Sequence, residues 1–256
     1  LKYYDRLVRL SYWLEPRLSL LADLIIVNSE AGLEYAKAEG YRTDKMKVIP
    51  NGIDVQAFVP DQSKGRTLRS SWGVGAQEFV IGLVGRLDPI KDHSTFLHAA
   101  ALVAKQCPVM RFVCIGGGDS AYKESLMALS KELELSTRLV WAGDCDDMPS
   151  VYNALDVACL TSIAEGCPNV LLEAMACSVP CVATDVGDSK RIIGDTGDIV
   201  QPRDPQALAA ALYRMFLMDG AERVRQGQRA RDRIIQHFSL ERLIRETSSA
   251  LEGTAR

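Results

Sequence analysis

Apolar runs of strand length recur along the chain, and most are followed by a stretch of helical periodicity. The strand candidates are Leu24–Val27, Lys47–Ile49, Phe79–Val84, Arg111–Ile115, Leu139–Trp141, Val157–Leu160, Cys181–Thr184 and Ile199–Val200. Helices are predicted over Glu30–Glu39, Ser94–Lys105, Ala121–Leu133, Pro149–Ala154, Pro168–Ala176, Ser189–Ile193 and Pro205–Met218. Ala221–His237 and Leu240–Leu251 follow with no strand between them. Such alternation predicts an α/β fold: a doubly wound, Rossmann-like parallel sheet covered on both faces. Val80-Ile81-Gly82-Leu83-Val84 is apolar on both sides, as that burial requires.

The alternation breaks between 50 and 78. Pro50-Asn51-Gly52-Ile53-Asp54 is turn chemistry, and a polar stretch with Ser63, Lys64, Gly65 and Arg66 follows, with no element assigned to it. A boundary is therefore expected near Asn51. Residues 1–51 hold one strand–helix–strand unit, too small to fold alone. Residues 52–238 hold a complete doubly wound domain, and 239–256 a final helix. The chain opens at Leu1 without an initiator Met and inside a helical pattern, as expected of a piece of a longer protein. Segment 1–22 is basic and amphipathic, with Lys2, Arg6, Arg9 and Arg17 among Leu, Tyr and Trp. A helix packed on a missing domain and a helix on a membrane surface both fit it. No apolar run reaches the ~20 residues that a spanning helix needs.

Composition narrows the class of function. A net charge of −3 argues against a nucleic-acid binder, which would carry a strongly basic face. The seven cysteines form no CxxC pair, and Cys114, Cys159 and Cys181 lie in strand-like runs. They read as small buried hydrophobes in a reducing, cytoplasmic setting, the inner face of a membrane included. Cys177 and Cys181 lack the partners for a zinc set, so no metal site is expected.

In open parallel sheets, ligands bind at the carboxyl ends of the strands, so the loops there carry the chemistry. After Phe79–Val84 come Gly85, Arg86 and, further on, Lys91. A cation pair beside glycine suits a diphosphate; the same cations could instead pair with Asp88 and Asp92. Gly116-Gly117-Gly118 follows the next strand and either brings backbone amides to a ligand or makes a tight turn. The stretch is not GxGxxG, which counts against a nicotinamide dehydrogenase. After Val157–Leu160, Pro168 suits the first turn of a helix. The free N–H groups of Asn169, Val170 and Leu171 would then face the crevice and attract a phosphate or a sugar. Glu165 and Glu173 straddle that helix start. Each can bind sugar or ribose hydroxyls; Glu165 can also be a cap, and Glu173 can take an internal partner. Asp185, after Cys181–Thr184, is either a crevice residue or a helix cap. His93 reads as a surface residue.

Taken in order, these pieces resemble the retaining GT-B glycosyltransferases of family 4, the group 1 glycosyl transferases. The matching segments are Val27-Asn28-Ser29, Ile49–Asp54, Gly85-Arg86-Leu87 with Lys91-Asp92, Gly116–Gly118 and Ala142-Gly143. Glu165-Gly166 through Glu173–Ala176, Val179-Pro180 and Ala183–Gly187 complete them. The resemblance implies that Arg86 and Lys91 hold the donor diphosphate and that Glu165 contacts the donor sugar, which makes these three the catalytic set. It gives Glu173 the ribose, the backbone of Pro168, Asn169, Val170 and Leu171 the sugar and phosphate, and Gly143, Asp144 and Cys145 the base. Gly85 and Gly116 complete the expected donor site. Cys167 stands where an aromatic residue is usual, and Ser178 where glycine is usual.

The function so implied is transfer of a sugar from UDP or GDP to an acceptor with retention, without cofactor or metal. Residues 1–51 would be the remnant of an acceptor-binding N-terminal domain, the missing partner of this chain. The apolar surface left over could drive oligomer formation or peripheral membrane contact. An epimerase of the same architecture would need acid and base residues that the sequence does not supply. A non-catalytic donor-domain subunit is the other alternative.

Overall fold

The structure, a computed structural model, describes residues 13–254. All eight predicted strands form: β1 Ile25–Val27, β2 Met46–Val48, β3 Phe79–Val84, β4 Met110–Ile115, β5 Leu139–Gly143, β6 Val157–Leu160, β7 Cys181–Thr184 and β8 Asp198–Val200. β1 and β2 pair in parallel as a small separate sheet. The other six make one sheet in the order β5-β4-β3-β6-β7-β8, parallel throughout. The order runs outward from β3 to β5, returns to the centre at β6, and leaves the other way. β3 and β6, paired through Ile81 and Val157, therefore flank the topological switch point.

Two apolar layers cover the six-stranded sheet. Ile81, Phe112 and Cys159 pack under Phe96, Leu97, Leu208 and Leu212 on one face. Val80, Val113 and Leu160 pack under Leu171, Met175, Ile193 and Ile234 on the other. Six of the seven cysteines are buried and Cys145 is half-buried; all are unpaired. Burial raises the Cys114, Cys159 and Cys181 thiols, which act here as apolar filling.

The polar stretch assigned no element contains a helix, Gln62–Ser71. The Asp61 carboxylate accepts from the N–H groups of Ser63 and Lys64 and caps it. Gly65, part of that polar stretch, is buried where a Cβ would stand 2.0 Å from the Asn153 carbonyl oxygen. The helix can lie this close to Met148–Asn153 only because the residue is glycine. Arg69 then reaches the Ala154 carbonyl and the Asp156 carboxylate, both at 2.8 Å.

The last helix, Leu240–Thr254, starts where the chain returns to the end of the first unit. Ile53 N–H donates to Phe238 O and Leu240 N–H to Ile53 O, both at 2.9 Å. Arg231 adds bonds to the carbonyls of Val55 and Phe58. Of the amphipathic segment 1–22, residues 1–12 lie outside the described residues, and 13–18 are helical.

Candidate active site

The loops that leave β3 and β6 meet at the switch point. Asp88 caps the short turn Pro89–Lys91 through Ile90 N–H at 2.9 Å. Asp92, with φ of 46°, caps the next helix through Thr95. Both acids are thus occupied by backbone. Lys91 turns away from them and donates to Glu165 Oε1 at 2.5 Å. The loops are stapled twice more, by Thr161 Oγ1 to Lys91 O at 2.7 Å and by Ile163 N–H to Ile90 O at 2.9 Å. Arg86 stays in solvent, its side chain 77% exposed and 4.0 Å from Asp88. One of the two predicted cations is therefore anchored at a carboxylate and the other is held only loosely.

Glu165 Oε1 also accepts from Ser162 Oγ at 2.6 Å. Ser162 is buried, and its own carbonyl accepts from Thr184 Oγ1 at 2.7 Å. Glu165 is not a helix cap: Pro168 occupies the cap position of Asn169–Ala176, one residue before the first turn where the sequence put it. Leu171 N–H bonds back to Pro168 O, so it is not free. Among the described residues, the N–H groups of Asn169 and Val170 have no acceptor within the chain. The Asn169 side chain accepts from Asn51 Nδ2 at 2.7 Å.

Glu173, half-buried on that helix, does take an internal partner: Tyr152 donates to its Oε2 at 2.6 Å. Burial pushes the Glu173 carboxyl above the usual carboxylate range, and the Tyr152 bond works against that rise. The fully buried phenol is held far above its ordinary value by burial and then by the adjacent carboxylate.

The glycines serve close packing between loops. A Cβ on Gly116, whose φ is 128°, would stand 2.2 Å from Gly85 O, and Gly116 N–H donates to Gly143 O. Gly117 N–H donates to Asp144 Oδ1 at 2.6 Å. The loops after β3, β4 and β5 are thereby pressed into one rim, with Gly143, Asp144 and Cys145 at its far end.

Two readings of the sequence need correction. His93 is not on the surface: it is 0% exposed, with no hydrogen-bond partner at either ring nitrogen, and burial lowers its pKa to about 4. Asp185 is exposed, and the cap position before Ser189–Ile193 belongs to Asp188, which makes no side-chain cap there. The Asp188 carboxylate instead crosses to the first unit and accepts from Glu30 and Ala31 N–H at 3.2 and 3.1 Å. Its own N–H donates to Gly166 O at 2.8 Å, behind Glu165.

A cleft of about 480 Å³ opens at the opposite, amino ends of the strands, before β6 and β7, lined by Arg66, Asn153, Cys177, Ser178 and Gln228. None of the strand-end loops reaches it. The switch-point rim, with its cations, carboxylates and unbonded helix N–H groups, is where the chemistry converges. Ser162 and Tyr152 were missed by sequence reasoning. Only the position of Ser162, three residues before Glu165, hinted at a local bond.

The sequence profile of the family described as "Glycosyl transferases group 1" matches residues 78–217. The chain belongs to this family. A second profile, "Glycosyltransferase Family 4", matches residues 2–57. Among relatives, the D-inositol 3-phosphate glycosyltransferase of Corynebacterium urealyticum is 34% identical over 79% of this chain and 50% of its own. The UDP-Gal:alpha-D-GlcNAc-diphosphoundecaprenol alpha-1,3-galactosyltransferase of Escherichia coli is 30% identical over 67% of this chain and 45% of its own. The chain thus spans about half the length of these glycosyltransferases. Among solved structures, Anabaena HepE in complex with UDP and glucose superposes with a TM-score of 0.86 at 25% identity, over 98% of this chain and 68% of that one. The fold is the α/β, GT-B-like arrangement of those glycosyltransferases. No helix among the described residues is long and apolar enough to cross a membrane.

Proposed function

We propose that this chain is the donor-binding portion of a glycosyltransferase that moves a sugar from a nucleoside diphosphate to an acceptor, with retention of configuration. The observation that carries the reading is the convergence of Lys91 and Glu165 at the β3–β6 switch point, beside the unbonded N–H groups of Asn169 and Val170. The UDP in the HepE complexes supports a nucleotide sugar as the ligand class. As the sugar–phosphate bond breaks, negative charge builds on the leaving diphosphate. Arg86 is free to fold over that charge. Lys91 meets it from the floor while Glu165 holds the ammonium in place and offers Oε2 to sugar hydroxyls. The two cations supply the positive charge, and the reading calls for no metal ion. Glu173 accepts from the ribose, and the loop Gly143-Asp144-Cys145 faces the base.

Exposed apolar side chains at Trp13, Leu18, Leu20 and Leu21 support an acceptor-side domain packing over the first unit. Buried, unpaired thiols support a reducing compartment.

The test is a thermal-shift and calorimetric titration with UDP, GDP, ADP and their sugars, on the wild type and on Glu173→Ala. A ligand at a hundred times its Kd adds about 2.7 kcal/mol of stability. One nucleotide should stabilise the wild type, with or without EDTA, and the variant should lose that response. A folded wild type that answers to none of them sinks the reading. Where transfer to an acceptor is obtained, the anomeric coupling constant of the product decides retention.

A further inference from the structure

Tyr152 is 1% exposed and lies on the short helix Met148–Asn153, directly after the loop 143–147. Its hydroxyl donates to Glu173 Oε2 across a gap of 21 residues in sequence. Phe58 packs against the ring with centroids 6.2 Å apart. A buried phenol on a helix has little rotameric freedom, so the position of its oxygen is set by the fold. Among the described residues, no other side chain donates a hydrogen bond to the Glu173 carboxylate. Oε2 is thus taken from behind, the plane of the carboxylate is fixed, and Oε1 is left over.

Resting on the donor-site reading above, we infer that Tyr152 is a positioning residue for nucleotide recognition: it holds Glu173 so that Oε1 faces the vicinal hydroxyls of the ribose. A carboxylate free to rotate would offer those hydroxyls either oxygen, or neither, at some cost in order. The phenol also links two parts of the site, because its helix continues the loop that faces the base. Correct seating of that loop and correct aim of Glu173 are therefore one event.

The bond has an electrostatic side. Burial favours the protonated acid, and a donor to Oε2 favours the carboxylate. The titratable and charged groups around Glu173 are Tyr152 from the short helix, Cys177 on its own helix and, beyond the phenol, Cys181 at the start of β7; Arg231 stands behind Cys177. None of the others donates to the carboxylate. Removing the hydroxyl should therefore leave Glu173 easier to protonate, and a protonated carboxyl accepts less well from a diol.

The test is Tyr152→Phe, which keeps the ring and removes one oxygen. Two quantities are read: the side-chain carboxyl ¹³C titration of Glu173 without ligand, assigned with Glu173→Gln, and nucleotide affinity by calorimetry from pH 5 to 8. The expected result is a Glu173 titration moved to higher pH and an affinity roughly tenfold weaker at pH 7, the loss of one hydrogen bond to a charged group. The gap from wild type should widen as pH falls. A merely structural tyrosine would weaken binding equally at every pH and leave the titration where it was; that outcome overturns the inference. Wild-type protein that binds no nucleotide overturns the donor-site reading, and the role assigned to Tyr152 with it. Wild-type protein that binds, beside a Tyr152→Phe variant with an unchanged pH profile, overturns the role of Tyr152 alone. Should the variant not fold, 3-fluorotyrosine incorporation makes the donor more acidic in place: the Glu173 titration then moves to lower pH, and an unmoved titration counts against the inference.

Discussion

The unit before Asn51 and the six-stranded domain after it are written with the same strand–helix–strand pattern, yet among the described residues only the second encloses an extended apolar interior. In the domain, Val80, Ile81, Phe96, Leu97, Phe112 and Leu208 are withdrawn fully from water. In the unit, Leu18, Leu20 and Trp13 are exposed, and Leu21 is 80% exposed. Periodicity sets the local conformation in both places; burial depends on what lies opposite. The unit is held to the rest by polar contacts with the loops of the candidate site. Asp188 caps its helix, Arg191 pairs with both Asp188 and Glu30, and Asn51 reaches Asn169. Order in the domain is therefore global, and order in the unit is borrowed.

The largest effect should come from inside the domain. His93 is buried as a neutral imidazole, so its folded pKa of about 4 lies below the value of about 6.5 expected in the unfolded chain. Between those values the unfolded state binds more protons, so stability is full above pH 6.5 and falls as pH drops toward 4. The full loss is about 3 kcal/mol by linkage. Urea unfolding across that window should show the loss for the wild type and a shallower slope for His93→Leu; parallel profiles would remove this account of His93. Gly65→Ala comes next, at about 2 kcal/mol of global destabilisation, because its Cβ would strike the Asn153 backbone. An unchanged urea midpoint would show that the two helices can move apart freely.

Asp188→Ala addresses the borrowed order. Losing a helix cap costs about 1 kcal/mol. Hydrogen exchange should speed within Glu30–Ala38 while β3 to β7 keep their protection. If exchange rose equally in both regions, the contrast between them would be false. The smallest effect is expected at Ser178, whose φ of 59° is the left-handed region that favours glycine. Its hydroxyl is buried without a partner. Ser178→Gly should stabilise by about 0.5 kcal/mol, strain relieved minus the entropy glycine adds to the unfolded chain. A lower melting temperature would argue against strain there.

Fully buried parallel strands were easy to read, because both faces of each strand are apolar and the run is unbroken. β3, β6 and β7 begin and end where the sequence put them. The helix Gln62–Ser71 was hidden for the opposite reason. Its one buried residue is Gly65, so no apolar stripe marks it, and the serines and glycine around it imitate a turn. At the site, the loops were legible because they follow strands, and Lys91 with Glu165 were chosen on that ground. What they bond to was not legible. Lys91 meets Glu165 across 74 residues, and Tyr152 meets Glu173 from another helix. No period links such pairs. His93 was misplaced because a histidine after Lys91-Asp92 looks solvated until the following helix turns it inward.

The cap that Asp188 places on Ala31 joins residues 157 apart. A chain emerging from the ribosome at roughly 5–20 residues per second carries the helix Glu30–Ala38 out roughly 8–30 s before its cap exists. Ser29 alone guards that helix start in the interval, through Gly32 N–H. A nine-residue helix with one cap bond is marginal in water. The helix Glu30–Ala38, although synthesised before the six-stranded sheet, is therefore among the last elements to settle, and it settles onto the Glu165 loop only after that loop has formed.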